Sequence, residues 1–358
     1  MDRIANPIRK SPKSLIVDSH EDIAFNAINL RRNFLASAQE KRVNEGDDHK
    51  HGIATLGLPD LLKGNVRVVF ATIWAPPCNG PGPIVQPCYT TQEEACVLAK
   101  QQLNYYLALA RSEQVTLVTK RADLDRVLSD DRKVGLVLLM EGADPLVMPS
   151  DVREWYEAGL RILGPAWRKT SYAGGTGMPG PLTDAGRELI AEMERLGIIL
   201  DVSHLAEASF FEALELFSGP VIASHSNCQK YVPTDRQLSD EMIRTLIQHD
   251  GVMGIVLYNS FLKNAWENEG KIKSQVTLHH VIEQIQHVCE IAGNAKHVAI
   301  GTDFDGGFGA ESIPAELDTI ADLWKVREAL AADQFPEEDI DGIMSGNWLR
   351  ILRNSLPA

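Results

Sequence analysis

The chain has 358 residues, 44% hydrophobic and 23% charged, with 35 Lys plus Arg against 49 Asp plus Glu for a formal net charge of −14. That length holds one large domain or two ordinary ones, with ample apolar material for a core. An acidic balance repels phosphate backbones and anionic bilayers, so neither nucleic acid nor a membrane surface is an expected partner.

The opening segment MDRIANPIRKSPKS is polar and basic, and the LIV after it is too short for a secretory signal core. No window has the length of a membrane span, and LRILRNSLPA lacks the tail of a lipid-anchor signal. A cytoplasmic location is therefore expected. The five cysteines (Cys78, Cys88, Cys96, Cys228 and Cys289) are odd in number and contain no C-x-x-C pair. They predict neither a disulfide framework nor a cysteine zinc site. Cys78 and Cys88 flank a Pro/Gly-rich loop and could meet, but a reducing compartment weighs against the bond.

In chain order, short apolar runs rich in Val, Ile and Leu fall at Leu15–Val17, Val66–Trp74, Val134–Met140, Leu160–Leu163, Ile198–Val202, Val221–Ala223, Val252–Leu257 and Val298–Ile300. Uninterrupted apolar runs suit strands buried on both faces, as in parallel sheets. Stretches with helical spacing separate most of them: Glu93–Leu109, Ala185–Leu196, Ala206–Phe217, Asp240–His249 and Val276–Ile291. Thr183 and Ser239 stand as N-cap candidates before two of these. Eight strands alternating with helices predict an α/β fold of the (β/α)8 TIM-barrel type. The open doubly wound sheet would usually carry a Gly-rich loop after its first strand, where this chain reads DSHED. One barrel domain over residues 1–358 is expected, with loop insertions near residues 76–90 and 172–182. Pro76–Pro87 and Gly174–Pro181 read as long loops over the mouth.

Five of the eight runs finish on His, Asp or Glu. The first leads into Asp18-Ser19-His20-Glu21-Asp22, the third into Glu141, the fifth into Asp201-Val202-Ser203-His204. The sixth leads into Ser224-His225-Ser226 and the eighth into Gly301-Thr302-Asp303-Phe304-Asp305. In a barrel these ends share one face, where active sites are built. Histidine with carboxylate suits zinc or a similar divalent ion. On a strand, His20 and Asp22 at i and i+2 would point the same way and grip one ion. Singly, each has a plainer reading: a satisfied histidine, a Glu141 at a helix N-terminus, an Asp303 or Asp305 forming a turn. The remaining histidines (His49, His51, His249, His279, His280, His287 and His297) read as solvated or structural.

The segments VDSHED, MEG, LTDAGRELIAEMERLGIILDVSH, ASHSN, GTDFDG and GNWLR occur in this order across residues 17–350. Together they resemble the membrane (renal-type) dipeptidase family, peptidase family M19. The resemblance implies a binuclear zinc centre, with His20, Asp22 and Glu141 on one ion and Glu141 bridging to a second ion held by His204 and His225. It makes Asp303 the catalytic aspartate and Arg236 a substrate contact, and it implies a homodimer. The implied reaction is hydrolysis of a small dipeptide's amide bond by a hydroxide shared between the two ions. Such ions stand about 3.5–4 Å apart and lower the pKa of bound water. Asp303 could carry the hydroxide proton to the leaving amine, and Arg236 could clamp a carboxylate. The same ligands tolerate manganese or cobalt.

The chain departs from the family pattern after the fourth strand. The family places there a histidine that helps hold the substrate and its tetrahedral intermediate; Trp167 stands at about that place in the substrate site. Indole brings one N–H donor and no charge, so Trp167 either donates a single hydrogen bond or forms an apolar wall; the plainer alternative is that it only packs against the barrel rim. The alternatives to a dipeptidase are a related binuclear hydrolase acting on a lactam, lactone or N-acyl amino acid, and a non-catalytic metal-binding relative.

Overall fold

In the computed structural model, residues 15–46, 50–78 and 86–358 are described. The opening segment read for a signal, His49, and residues 79–85 of the first loop lie outside them. Eight strands form the barrel: β1 (Ile16–Glu21), β2 (Val66–Trp74), β3 (Val134–Glu141), β4 (Leu160–Gly164), β5 (Ile199–Asp201), β6 (Val221–Ala223), β7 (Val252–Ile255) and β8 (Val298–Ile300). They pair in parallel and in sequence order, and a parallel bridge between Glu21 and Phe304 joins the last to the first. Every expected strand is present, as are helices Gln92–Leu109, Asp184–Leu196, Glu207–Leu216, Asp240–Gln248 and Leu278–Ala292. Thr183 accepts from the Gly186 amide and Ser239 from the Met242 amide, so both expected caps form.

Strand residues divide by parity, as a buried sheet requires. Val68, Phe70, Val137 and Leu139 join one apolar cluster with Ile162, Ile222 and Trp348. Val69, Ala71, Leu138 and Met140 join the larger one with the helices. Trp348, from the GNWLR segment, packs on Phe70 at 5.3 Å and donates its indole N–H to the Ile300 carbonyl. Glu141 shares the parity of Val137 and Leu139, so its strand aims it into the barrel mouth. Gly301 is needed where it stands: a Cβ there would lie 2.1 Å from the Ser224 carbonyl oxygen, next to the Ser19 hydroxyl that donates across β1, β6 and β8.

Three features differ from expectation. Strand Val115–Leu117 pairs beside β3, outside the barrel order. Gly174–Pro181 is no open loop: Ala173–Gly175 and Met178–Leu182 form an antiparallel hairpin. The two arms approach so closely that a Cβ on Gly174 would meet the Gly180 backbone at 2.5 Å. Finally, Cys78 and Cys88 are disulfide-bonded, against the reducing setting expected for them. Backbone bonds from Cys78 N to Tyr89 O and from Tyr89 N to Pro76 O bring the arms of that loop together.

Candidate metal centre

His20, Asp22, Glu141, His204, His225 and Asp303 converge at the C-terminal ends of β1, β3, β5, β6 and β8. Their donor atoms form three overlapping groups: His20, Asp22 and Glu141; Glu141, His204 and His225; His20, His225 and Asp303. Glu141 presents one oxygen to each side. Its Oε1 lies 3.0 Å from His204 Nε2 and 3.3 Å from His225 Nε2, and those nitrogens are 3.1 Å apart. Its Oε2 faces His20 Nε2 at 3.9 Å. Tetrahedral zinc with ligands at 2.0–2.1 Å holds them about 3.3 Å from one another, so this triangle has the dimensions of a ligand shell.

Local structure explains the convergence, though not by the expected route for β1. A register irregularity between Asp18 and Glu21 turns both Ser19 and His20 inward, and His20 Nε2 stands 3.4 Å from Thr72 Oγ1. Asp22 has left the strand (φ −79, ψ 43) and begins helix Ile23–Asn29; an i, i+2 strand alternation is therefore not what sets it beside His20. His204, Asp303 and Asp305 take left-handed backbone, at φ 66, 60 and 59, a conformation that costs a non-glycine residue energy and clusters at functional sites. The Asp303 turn closes through Gly306 N to Asp303 O at 3.0 Å. A Cβ on Gly306 would sit 2.0 Å from Asp303 Oδ1, so glycine there leaves the carboxylate its place.

A second layer, absent from the sequence reading, fixes the rings. Ser224 Oγ lies 2.8 Å from His225 Nδ1 and donates to Asp201. Asp201 also accepts from the Ser203 and Ser224 amides. An Nδ1–H given to Ser224 leaves His225 Nε2 with its lone pair toward Glu141. Thr176 Oγ1, carried by the hairpin, stands 3.0 Å from His204 Nδ1. Asp305, the turn former of the plainer reading, accepts from Thr55 N and Oγ1, both at 2.7 Å. Asn26 donates to the carbonyls of Asp22 and Asp305 and ties those two segments together. The DVSH segment flagged Asp201 only as a neighbour of His204; nothing in GGTG pointed to Thr176.

The electrostatics suit a cation. Burial pushes the His20 imidazole down to about 3, with the Arg236 charge adding to it; burial holds His204 and His225 far below their ordinary value too. Neutral imidazoles are the form that binds metal. Burial raises Asp22 to about 7, helped by Asp305. Burial also drives Glu141 and Asp303 well above the carboxylate range, with Asp22 repelling both. Among the described residues, Asp22 Oδ1 is buried without a hydrogen-bond partner. Crowded carboxyls facing neutral imidazoles and an orphaned carboxyl oxygen fit a divalent ion.

Above this floor opens a cavity of about 550 Å³. Arg236 is buried in its wall, donating Nη2 to the His225 carbonyl at 2.6 Å and Nη1 to Ser226 Oγ at 3.2 Å. Its Nε, also buried, has no hydrogen-bond partner among the described residues. Trp167 is half-buried in the same wall, packed edge-on against Trp74 at 5.0 Å and 6.2 Å from the His204 ring. Wall and rim packing thus coincide in one side chain. His51, read as solvated, is exposed but lines the cavity. By contrast His287 pairs with Asp240 and His297 with the Gly251 carbonyl, both away from the mouth.

A closed parallel barrel whose strand ends gather histidines and carboxylates around one acid has the form of a metal-dependent enzyme's active site. Residues 5–356 match the model of the membrane dipeptidase family, peptidase family M19, and the chain belongs to that family. It is 31% identical over 251 residues to an uncharacterized Klebsiella pneumoniae protein in the pqqA 5' region, 67% of this chain and 89% of that one. Among solved structures it is similar to dipeptidase AC, an M19 metallopeptidase, with 26% identity, TM-score 0.81, and 97% and 100% of the two chains covered. A Rhodobacter sphaeroides metallopeptidase bound to a phosphinate mimic of L-Ala-D-Ala gives 25% identity, TM-score 0.79, and coverage of 96% and 100%. Among the described residues no helix is long and apolar enough to cross a membrane.

Proposed function

We propose that the chain hydrolyses small dipeptides at a two-ion centre. His20, Asp22 and Glu141 hold one ion; Glu141, His204 and His225 hold the other. The observation that carries this reading is the division of Glu141, one oxygen toward the His204–His225 pair and the other toward His20. Two zinc ions, or manganese or cobalt in their place, would supply a shared, activated water and a Lewis acid for the scissile carbonyl. Arg236, held in place by Ser226 and the His225 carbonyl, receives the substrate carboxylate. Asp303, 14% exposed and 3.9 Å from His20 Nε2, carries a proton from the attacking water to the leaving amine. The phosphinate dipeptide mimic bound by the Rhodobacter relative supports a dipeptide as substrate.

A lactam, lactone or N-acyl amino acid is the second reading, favoured by Trp167 where the family pattern has a histidine. For location, the Cys78–Cys88 bond favours an oxidising compartment over the cytoplasm. Metal analysis and a dipeptide panel on one sample test the main reading. Two ions per chain with turnover of at least one dipeptide is the expected result. Two ions with turnover confined to lactams, lactones or acyl amino acids would select the second reading.

A further inference from the structure

The mouth is aromatic on two opposite sides. Beyond the ends of β1, β2 and β4, Phe25 packs on Trp74 at 4.8 Å and Trp74 on Trp167 at 5.0 Å, both edge-to-face. Beyond β7 and β8, Tyr258 packs on Phe261 at 5.1 Å and on Phe308 at 4.3 Å. All six rings line the one cavity. In an eight-stranded barrel, strands four apart face each other across the mouth, so the β2–β4 side looks at the β6–β8 side. Arg236 belongs to the latter, its guanidinium 5.4 Å from the Phe261 ring. Glu141 and the histidines lie on the floor between the two.

This division orients a substrate. A dipeptide with its carboxylate on Arg236 and its amide over Glu141 has its C-terminal residue among Tyr258, Phe261 and Phe308. Its N-terminal residue then falls on the other side, against Phe25, Trp74 and Trp167. We propose that Trp167 is a specificity-determining residue: with Trp74 and Phe25 it forms the pocket for the N-terminal side chain and selects a bulky apolar or aromatic residue there. This rests on the dipeptidase reading. Rings fixed against each other form a wall that needs no ordering when substrate arrives. An aromatic side chain has about 150–250 Å² to bury against it, where alanine offers one methyl.

The test uses metal-loaded full-length protein, with kcat/KM measured for Ala-Ala, Leu-Ala and Phe-Ala. Calorimetry with phosphinate mimics of Ala-Ala and Phe-Ala reads binding without turnover. The expected result is a preference for Phe-Ala over Ala-Ala of about 10–100-fold, since a single methylene in an apolar pocket is already worth about 10-fold or more. The Phe-Ala mimic should also bind tighter. In Trp167→Ala the Phe/Ala ratio should collapse toward unity, with an intermediate ratio in Trp167→Leu, which fills the site if the alanine variant does not fold. Hydrolysis of Ala-Ala with no preference in the natural chain, or a ratio that survives in both variants, overturns the specificity and leaves the dipeptidase reading intact. Mimics bound with a phenylalanine preference but no dipeptide cleaved support the wall and overturn the reading. No cleavage and no mimic binding overturns both.

Discussion

At the floor of the mouth Glu141 and His225 are 7% and 1% exposed, Glu141 as the last residue of β3 and His225 just past β6 with its ring held by Ser224. At the rim, Trp167 and His51 ride on connecting segments, half-buried and exposed, held by ring packing and neighbours. On the proposed two-ion reading the floor has no tolerance: a donor shifted by a methylene would leave an ion short of a ligand. The rim could change shape and still leave the proposed ions in place. One barrel can thus hold its chemistry fixed while the wall chooses what the chemistry acts on.

The largest effect should come from Glu141→Asp. The shorter side chain withdraws an oxygen from at least one of the two ligand groups. Loss of turnover beyond the about 10–100-fold seen when only a supporting hydrogen bond is removed should accompany weaker binding of at least one ion. Metal titration with activity on the same sample checks this, and unchanged stoichiometry with unchanged turnover would count against a bridging role.

Asp303→Asn comes next. It keeps the shape of the left-handed turn, which asparagine tolerates, and removes the carboxyl to which the proposal gives the acid–base role. Turnover should fall about 10²–10⁴-fold with full metal content. Lost metal would instead make Asp303 a ligand in its group with His20 and His225. Near-normal turnover would reduce it to a turn former.

Proton release gives a smaller but signed effect. After chelation, Asp22 stands at about 7. Below that pH it holds a proton that an incoming ion must expel; above it the carboxylate is already ionised. Metal affinity should therefore rise with pH through this window, and calorimetry should count more protons released per chain at about pH 6 than at about pH 8. Equal release at both would mean that Asp22 lies outside the ligand set.

The smallest effect on the chemistry should follow Cys78→Ser with Cys88→Ser. Opening this short loop removes roughly 2–3 kcal/mol of stability on the chain-entropy account. Metal content should hold and kcat for Ala-Ala should change little, because no floor residue bonds to either cysteine. A large loss of metal would dissolve the division between floor and rim.

The sequence carried the floor well and the rim poorly, for physical reasons. Buried parallel strands must be continuously apolar, so a histidine or carboxylate at the end of such a run stands out; His20, Glu141, His204, His225 and Asp303 were legible that way. The bulge that aims His20 and the helix start that carries Asp22 were not, because they depend on pairing with β2 and β8. Asp201, Ser224 and Thr176 are common polar residues whose role exists only once the histidines they hold are in place. The hairpin at Ala173–Leu182 hid behind glycines and prolines that read as loop. Cys78 and Cys88 stand out as flanking one loop, while the Tyr89 backbone bridge that brings its arms together has no local signature. Trp167 was visible as a departure, but its packing on Trp74 joins two segments more than ninety residues apart.

The central claim, two ions sharing Glu141, is tested most directly by an anomalous-scattering map of zinc-loaded crystals. The account predicts two peaks about 3.5–4 Å apart, one beside His20 and Asp22, one beside His204 and His225, with a Glu141 oxygen on each. A single peak, or two peaks of which only one touches Glu141, would contradict it.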